Sequence, residues 1–156
     1  MSYAGIVAAD AAVWAGWSGI VGYAAHRLPD SRLDGDTALT RLRAWERGGR
    51  VYERIGIRRW KDGLPEFGAV FRGGVSKRTT GGDLAAFVRE TRRAELVHWA
   101  IPAVVPVFVL WNPWWLTLAM VAYAVGANVP CLLVQRYNRG RLLGIMHRRL
   151  RRSEAR

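Results

Sequence analysis

Where this chain puts its positive charge limits what it can fold into more than any other feature. Residues 1–25 and 94–135 contain no Lys or Arg, and all 24 basic residues lie in 26–93 or 136–156. A soluble basic protein spreads its charge along the chain. Here apolar stretches alternate with basic ones, in a chain that is 51% hydrophobic yet carries a formal net charge of +12. That is the pattern of an integral membrane protein whose basic segments remain cytoplasmic. Membrane lipids are therefore the expected surroundings, and no nucleic-acid partner is expected.

Three apolar segments are long enough to consider as spans, since about 20 apolar residues cross a hydrocarbon core. The first covers about residues 4–25. Gly5, Gly16, Gly19 and Gly22 place small residues where a neighbouring helix can approach closely. It lacks a basic n-region, so it reads as a retained anchor rather than a cleaved signal. Asp10 either lies at the outer interface or is a buried polar group that needs a partner. The second span, 97–111, is short: about 22 Å if α-helical. It must borrow length from the polar turns before it or cross a thinned region, and Pro102 and Pro106 predict kinks. The third covers 114–135 and is expected to be interrupted at Gly126, Asn128 and Pro130. Trp111-Asn112-Pro113-Trp114-Trp115 joins the last two as an aromatic belt.

The fold expected is thus all-α, one membrane domain over 1–156. A cytoplasmic interfacial region would occupy 26–96, with amphipathic surface helices over 37–59 and then a Gly-rich loop. A basic tail over 136–156 would clamp lipid headgroups. The charge rule predicts a multi-pass protein of the bacterial cell membrane, N-terminus outside and C-terminus cytoplasmic. Three soft spans with polar faces also make a second copy of the chain an expected partner.

Several chemistries find no support. The single cysteine, Cys131, sits in an apolar run, so neither a disulfide framework nor a Cys-based metal site is expected. Three scattered histidines do not make a metal site either. Gly73-Gly74-Val75-Ser76-Lys77 lacks the P-loop spacing. Ser18 lies in a span without a nucleophile elbow, and Ser76 is a weak nucleophile candidate. Lys77 and Arg78, in the same loop, are candidate phosphate contacts. His26 and Asp30 have the H-x-x-x-D spacing of some soluble acyltransferases, which keeps His26 open as an alternative base.

The polar stretch Glu90-Thr91-Arg92-Arg93-Ala94-Glu95-Leu96-Val97-His98-Trp99 enters the second span directly. Charged groups at that depth are costly unless paired or functional. On a helix, Glu90 and His98 share a stripe, and Glu95 lies three residues before His98. An imidazole with two carboxylates in reach is a candidate general base with its orienting acid. Arg136, Asn138, Arg139 and Arg141 close the third span as a cluster suited to gripping phosphate or sugar. Asn128 either fills the carbonyl gap left by Pro130 or faces a substrate.

These blocks, with Arg59-Trp60-Lys61 and Ala127-Asn128-Val129-Pro130, resemble the glycosyl-4,4'-diaponeurosporenoate acyltransferase family of small bacterial membrane enzymes. The resemblance implies transfer of a fatty acyl group from acyl-CoA or a related thioester to a sugar hydroxyl of a glycosylated carotenoid or related glycolipid. No cofactor would be bound; the thioester is a co-substrate. Chemistry then assigns His98 as base, with Glu95 or Glu90 holding its ring. Trp60, Lys61, Asp62, Arg93, Asn128, Arg136, Asn138, Arg139 and Arg141 are the candidate substrate contacts. With no nucleophile evident, direct transfer is expected rather than an acyl-enzyme. Two other readings stand beside this one: a small lipid-modifying methyltransferase or reductase, and a non-enzymatic scaffold that binds anionic lipids.

Overall fold

The computed structural model describes residues 2–64 and 83–155, and every regular element among them is helical. The Ser76, Lys77 and Arg78 expectations lie outside these residues. Three helical segments are long and apolar enough to cross a membrane: Tyr3–His26, Leu84–Leu110 and Trp114–Glu154.

Helix α1 (Tyr3–His26) starts at Ser2, whose hydroxyl accepts from the Gly5 amide at 3.2 Å. Its 24 residues span about 36 Å. Asp10 is buried. Its carboxylate accepts from Trp111 Nε1 at 2.8 Å and from Asn112 Nδ2 at 3.0 and 3.1 Å. Two of the belt residues thus fold back onto the first span.

After α1, the chain does not form the long amphipathic helices expected over 37–59. It winds as 3-10 turns over Ala44–Ile55, broken by three left-handed residues: Arg47 (φ 49°), Gly48 (φ 63°) and Gly49 (φ 90°). A single α-helical turn, α2 (Ile57–Trp60), follows. Close approach explains the break. A Cβ on Gly140 would lie 2.4 Å from the Gly48 carbonyl carbon and oxygen, and one on Gly49 would lie 2.9 Å from the Tyr137 carbonyl oxygen. Backbone crosses backbone there, so the crossing needs glycine on both sides. Tyr52 and Ile57 are then buried against Val134 and Tyr137.

Helix α3 (Leu84–Ala100) is capped by Asp83, whose carboxylate accepts from the Ala85 and Ala86 amides at 2.9 and 3.2 Å. It passes without a gap into ten 3-10 residues, Ile101–Leu110. The expected kinks are replaced by a change of winding. Pro102 and Pro106 carry no N–H and donate to neither an α nor a 3-10 partner, and the stretch runs through both as 3-10 turns. A 3-10 rise of about 2 Å per residue makes this stretch about 20 Å long rather than about 15 Å. The span that looked too short gains its length that way.

Helix α4 (Trp114–Glu154) is continuous for 41 residues and is not interrupted at Gly126, Asn128 or Pro130. At about 60 Å it is twice a hydrocarbon core, so its basic second half projects beyond the span. It packs along α3, the 3-10 span and the Ala44–Ile55 segment. Trp14, Val104, Phe108 and Ala124 form the core between spans, with Trp14 and Phe108 ring centroids 5.4 Å apart.

Candidate active site

Helices α3 and α4 together carry most of the candidate residues, and the faces of α3 have different tasks. One face is structural. Arg93 Nη1 donates to the carbonyls of Ala25 (2.5 Å) and Leu28 (3.0 Å), while Nη2 reaches Asp30 at 2.9 Å. It therefore ties together the last turn of α1 and the chain that leaves it. Its Nε pairs with Glu90 at 3.1 Å. Arg92 donates to the Leu33 carbonyl at 2.8 Å and pairs with Asp36 at 2.9 Å. Arg93 and Arg92 thus fasten the loop after α1. The carboxylate of Asp30, the second letter of H-x-x-x-D, is also engaged here, and His26 is exposed at the helix end.

The second face holds a chain of alternating charges. Glu46 is fully buried and takes Arg136 through Nε at 2.7 Å and Nη2 at 2.8 Å. Arg136 Nη1 also contacts Glu95. Glu95 in turn meets Arg139 Nη2 at 2.5 Å, with both side chains fully buried. Arg136 further donates to the Leu39 and Arg41 carbonyls at 3.0 and 2.8 Å, and Arg139 to the Thr40 carbonyl. Two acids and two bases cancel, which is how four ionised groups persist out of water. Burial pushes the Glu46 carboxyl up, but hydrogen bonds from Arg136, Tyr52 and the Arg43 amide outweigh it, and the group rests below the ordinary carboxylate range. Burial and the same carboxylate push the Tyr52 hydroxyl up. Arg139 Nε and Nη1 are buried without hydrogen-bond partners among the described residues.

The third face presents His98. The carboxylates do not orient its ring, because Glu95 is committed to the arginines and Glu90 lies on the structural face. Asn128 takes that place: its Oδ1 is 3.0 Å from His98 Nδ1, while its Nδ2 donates to the Ala124 carbonyl at 2.9 Å. The Ala124 oxygen can only accept, so the amide points its NH2 there and its oxygen at the ring. Nδ1 must then carry the proton, and Nε2 keeps the lone pair. This tautomer is the one a general base needs, held as neutral amides hold imidazoles in Cys-His-Asn hydrolases. Asn128 does not fill the gap left by Pro130, because the carbonyl it bonds is that of Ala124.

The other candidates do not gather at this ring. Asn128 and Arg141 are separated by about 20 Å along α4. Arg141 donates to the Tyr137 hydroxyl at 2.9 Å and stacks on that ring. Trp60 Nε1 donates to the Ile55 carbonyl at 3.2 Å, and Lys61 pairs with exposed Asp62 at 2.5 Å. Asn138 is half-buried. Sequence reasoning missed Glu46, Tyr52 and the Thr40 carbonyl. Glu46 had a signal: it is the only acid between Asp36 and Glu53, in a stretch otherwise rich in arginine. Among the described residues, no three His, Cys, Asp or Glu side chains form a metal-holding group.

Comparison with known proteins gives this geometry a family. Residues 36–148, which contain the whole ion chain and both His98 and Asn128, match the family model described as glycosyl-4,4'-diaponeurosporenoate acyltransferase. A protein of that name from Staphylococcus haemolyticus (strain JCSC1435) is 30% identical over 133 residues, covering 82% of this chain and 77% of its own length. One from Staphylococcus aureus (strain bovine RF122 / ET3-1) is 28% identical over 134 residues, covering 82% and 80%. In a third, from strain USA300, 38% identity over 73 residues covers 46% of this chain and 43% of the relative. No solved structure matches this chain. The match spans well over half of the sequence and both sides of the α3–α4 seam, and the chain belongs to the glycosyl-4,4'-diaponeurosporenoate acyltransferase family.

Proposed function

We propose that this acyltransferase moves a fatty acyl group from a thioester donor, such as acyl-CoA, to a sugar hydroxyl of a glycosylated carotenoid or related glycolipid, with His98 as general base. The observation that carries the residue assignment is the His98–Asn128 pairing, which leaves Nε2 as the free lone pair. The sugar oxygen attacks the thioester carbonyl as Nε2 takes its proton. The new C–O bond forms, the C–S bond breaks, and the proton passes on to the departing thiolate.

Glu95 acts here as a positioning residue, fixing α3 against α4 so that His98 and Asn128 stay in register. The charge distribution supports a cytoplasmic placement for this end of the bundle, with the N-terminus and the Trp111–Trp115 turn outside.

Lipid extracts from cells carrying His98→Ala, read by mass spectrometry, test the assignment. Loss of a general base predicts a fall of about 10²- to 10⁴-fold in acylated product, with normal membrane abundance. Asn128→Ala, which frees the ring to turn, is expected to lose up to about 10²-fold. Wild-type acylation by a normally inserted His98→Ala protein overturns the reading.

A further inference from the structure

The three left-handed residues do more than let two backbones cross. Arg47 has φ 49° and ψ 44°, a region that side-chain-bearing residues rarely occupy and that tends to mark functional positions. Glu46, immediately before it, is locked onto Arg136, and Gly48–Gly49, immediately after it, press on α4. The exposed side of this anchored turn opens into a groove of about 450 Å³ lined by Trp45, Arg47, Arg50, Val51 and Arg54.

Trp45 is 61% exposed, yet it is steadied edge-on against Tyr52, with centroids 6.3 Å apart. The three guanidinia have no carboxylate partners among the described residues. Glu53, adjacent to Arg54, is taken by Arg58 at 2.6 Å. Elsewhere Arg89, Arg92, Arg93, Arg136 and Arg139 are all paired. The groove thus combines three guanidinia without carboxylate partners among the described residues with an open aromatic face.

Its depth adds to this. The turn crosses α4 at Tyr137–Gly140, about 35–39 Å from Trp114 along the helix, beyond a hydrocarbon core of about 30 Å. That is headgroup level. Arg136, which anchors the turn, is about 12 Å along α4 from Asn128, a gap that a flexible thioester arm can cross.

We propose that this groove seats the head of the acyl donor, a nucleotide bearing several phosphates, with its purine on Trp45 and its phosphates on Arg47, Arg50 and Arg54. A planar base suits the indole face, and phosphates suit guanidinium forks. A single phospholipid headgroup offers one phosphate, for which three guanidinia are an excess. The inference rests on the thioester-donor reading.

Titration of free coenzyme A into the full chain in phosphatidylcholine nanodiscs tests it without requiring turnover. Arg50→Gln is expected to weaken binding about tenfold or more, as loss of a charge-assisted bond does. The Arg47→Gln/Arg50→Gln/Arg54→Gln triple variant and Trp45→Ala should bind weakly, and Arg50→Lys should recover part of the affinity. Adenosine 3',5'-bisphosphate should compete, and Arg149→Gln/Arg151→Gln/Arg152→Gln, which removes the same three charges from the tail, should bind as wild type does. Equal binding by wild type and a folded triple variant overturns the proposal. So does native mass spectrometry in which the triple variant loses bound phosphatidylglycerol but keeps coenzyme A affinity, which makes the groove a lipid-headgroup site. Groove-dependent coenzyme A binding without acylated glycolipid supports the groove and refutes the catalytic reading instead.

Discussion

At the end of the bundle beside the aromatic turn, one buried carboxylate, Asp10, is held by neutral donors, an indole and an amide from Trp111 and Asn112. At the opposite end, two buried carboxylates, Glu46 and Glu95, are held by the guanidinia of Arg136 and Arg139. Both arrangements bury charge, but they join different things. Asp10 staples one turn to one helix, and losing it leaves neutral groups behind. The ion chain joins three segments far apart in sequence, and losing any member leaves a charge with nothing to balance it. The proposed base and the amide that orients it lie nearer the second arrangement, where a fixed register between α3 and α4 keeps His98 against Asn128.

The largest expected difference comes from Glu95→Ala. Breaking a buried pair costs about 3–5 kcal/mol, here with Arg139 left uncompensated, so the protein should lose heat stability in detergent and acylation together. If Glu95→Ala melts like wild type, the two ends do not differ as described. Asp10→Ala leaves neutral donors unsatisfied and should cost less, about 1–3 kcal/mol. A melt shift equal to that of Glu95→Ala would erase the distinction.

Gly140→Ala tests the same end through packing alone. Its methyl would sit 2.4 Å from the Gly48 backbone, so the turn must move, at a cost typical of overpacking, about 1–3 kcal/mol. Coenzyme A binding at the proposed groove should weaken in step, because the turn that carries Arg47 shifts. Unchanged stability would mean the crossing is looser than its distances indicate.

The smallest effect is in pH. Glu46 is held below the ordinary carboxylate range, so its contribution is complete above that range and is lost as pH falls through its lowered folded value. Thermal midpoints of wild type should therefore hold from neutral pH down to the ordinary carboxylate range and fall below it. Glu46→Gln should be less stable at neutral pH and show a shallower acid decline. Parallel acid limbs would mean another group sets the decline.

The spans were legible because hydrophobic length and charge segregation are local, additive properties of sequence, and Leu84–Leu110 needed no partner to be recognised. The candidate site was legible only in part. His98, Glu95, Asn128, Arg136 and Arg139 could be named from residue type and position, but their pairing could not. Helical spacing puts Glu95 beside His98 on paper, yet ion pairing across helices outweighs a local hydrogen bond when both groups are buried. The partners of Glu95 lie more than forty residues away on α4, and the remaining acid of the chain, Glu46, comes from a third segment.

Sequence alone therefore determined that this chain is helical and carries three segments long and apolar enough to cross a membrane, because a bilayer sorts residues by transfer free energy wherever they fall in the fold. Tertiary structure decided which polar groups meet. It gave the imidazole an amide rather than an acid and turned two prolines into a lengthening of the helix. It used three glycines to bring Glu46 against Arg136. Each of those outcomes depends on distances between segments, which the linear order of residues does not contain.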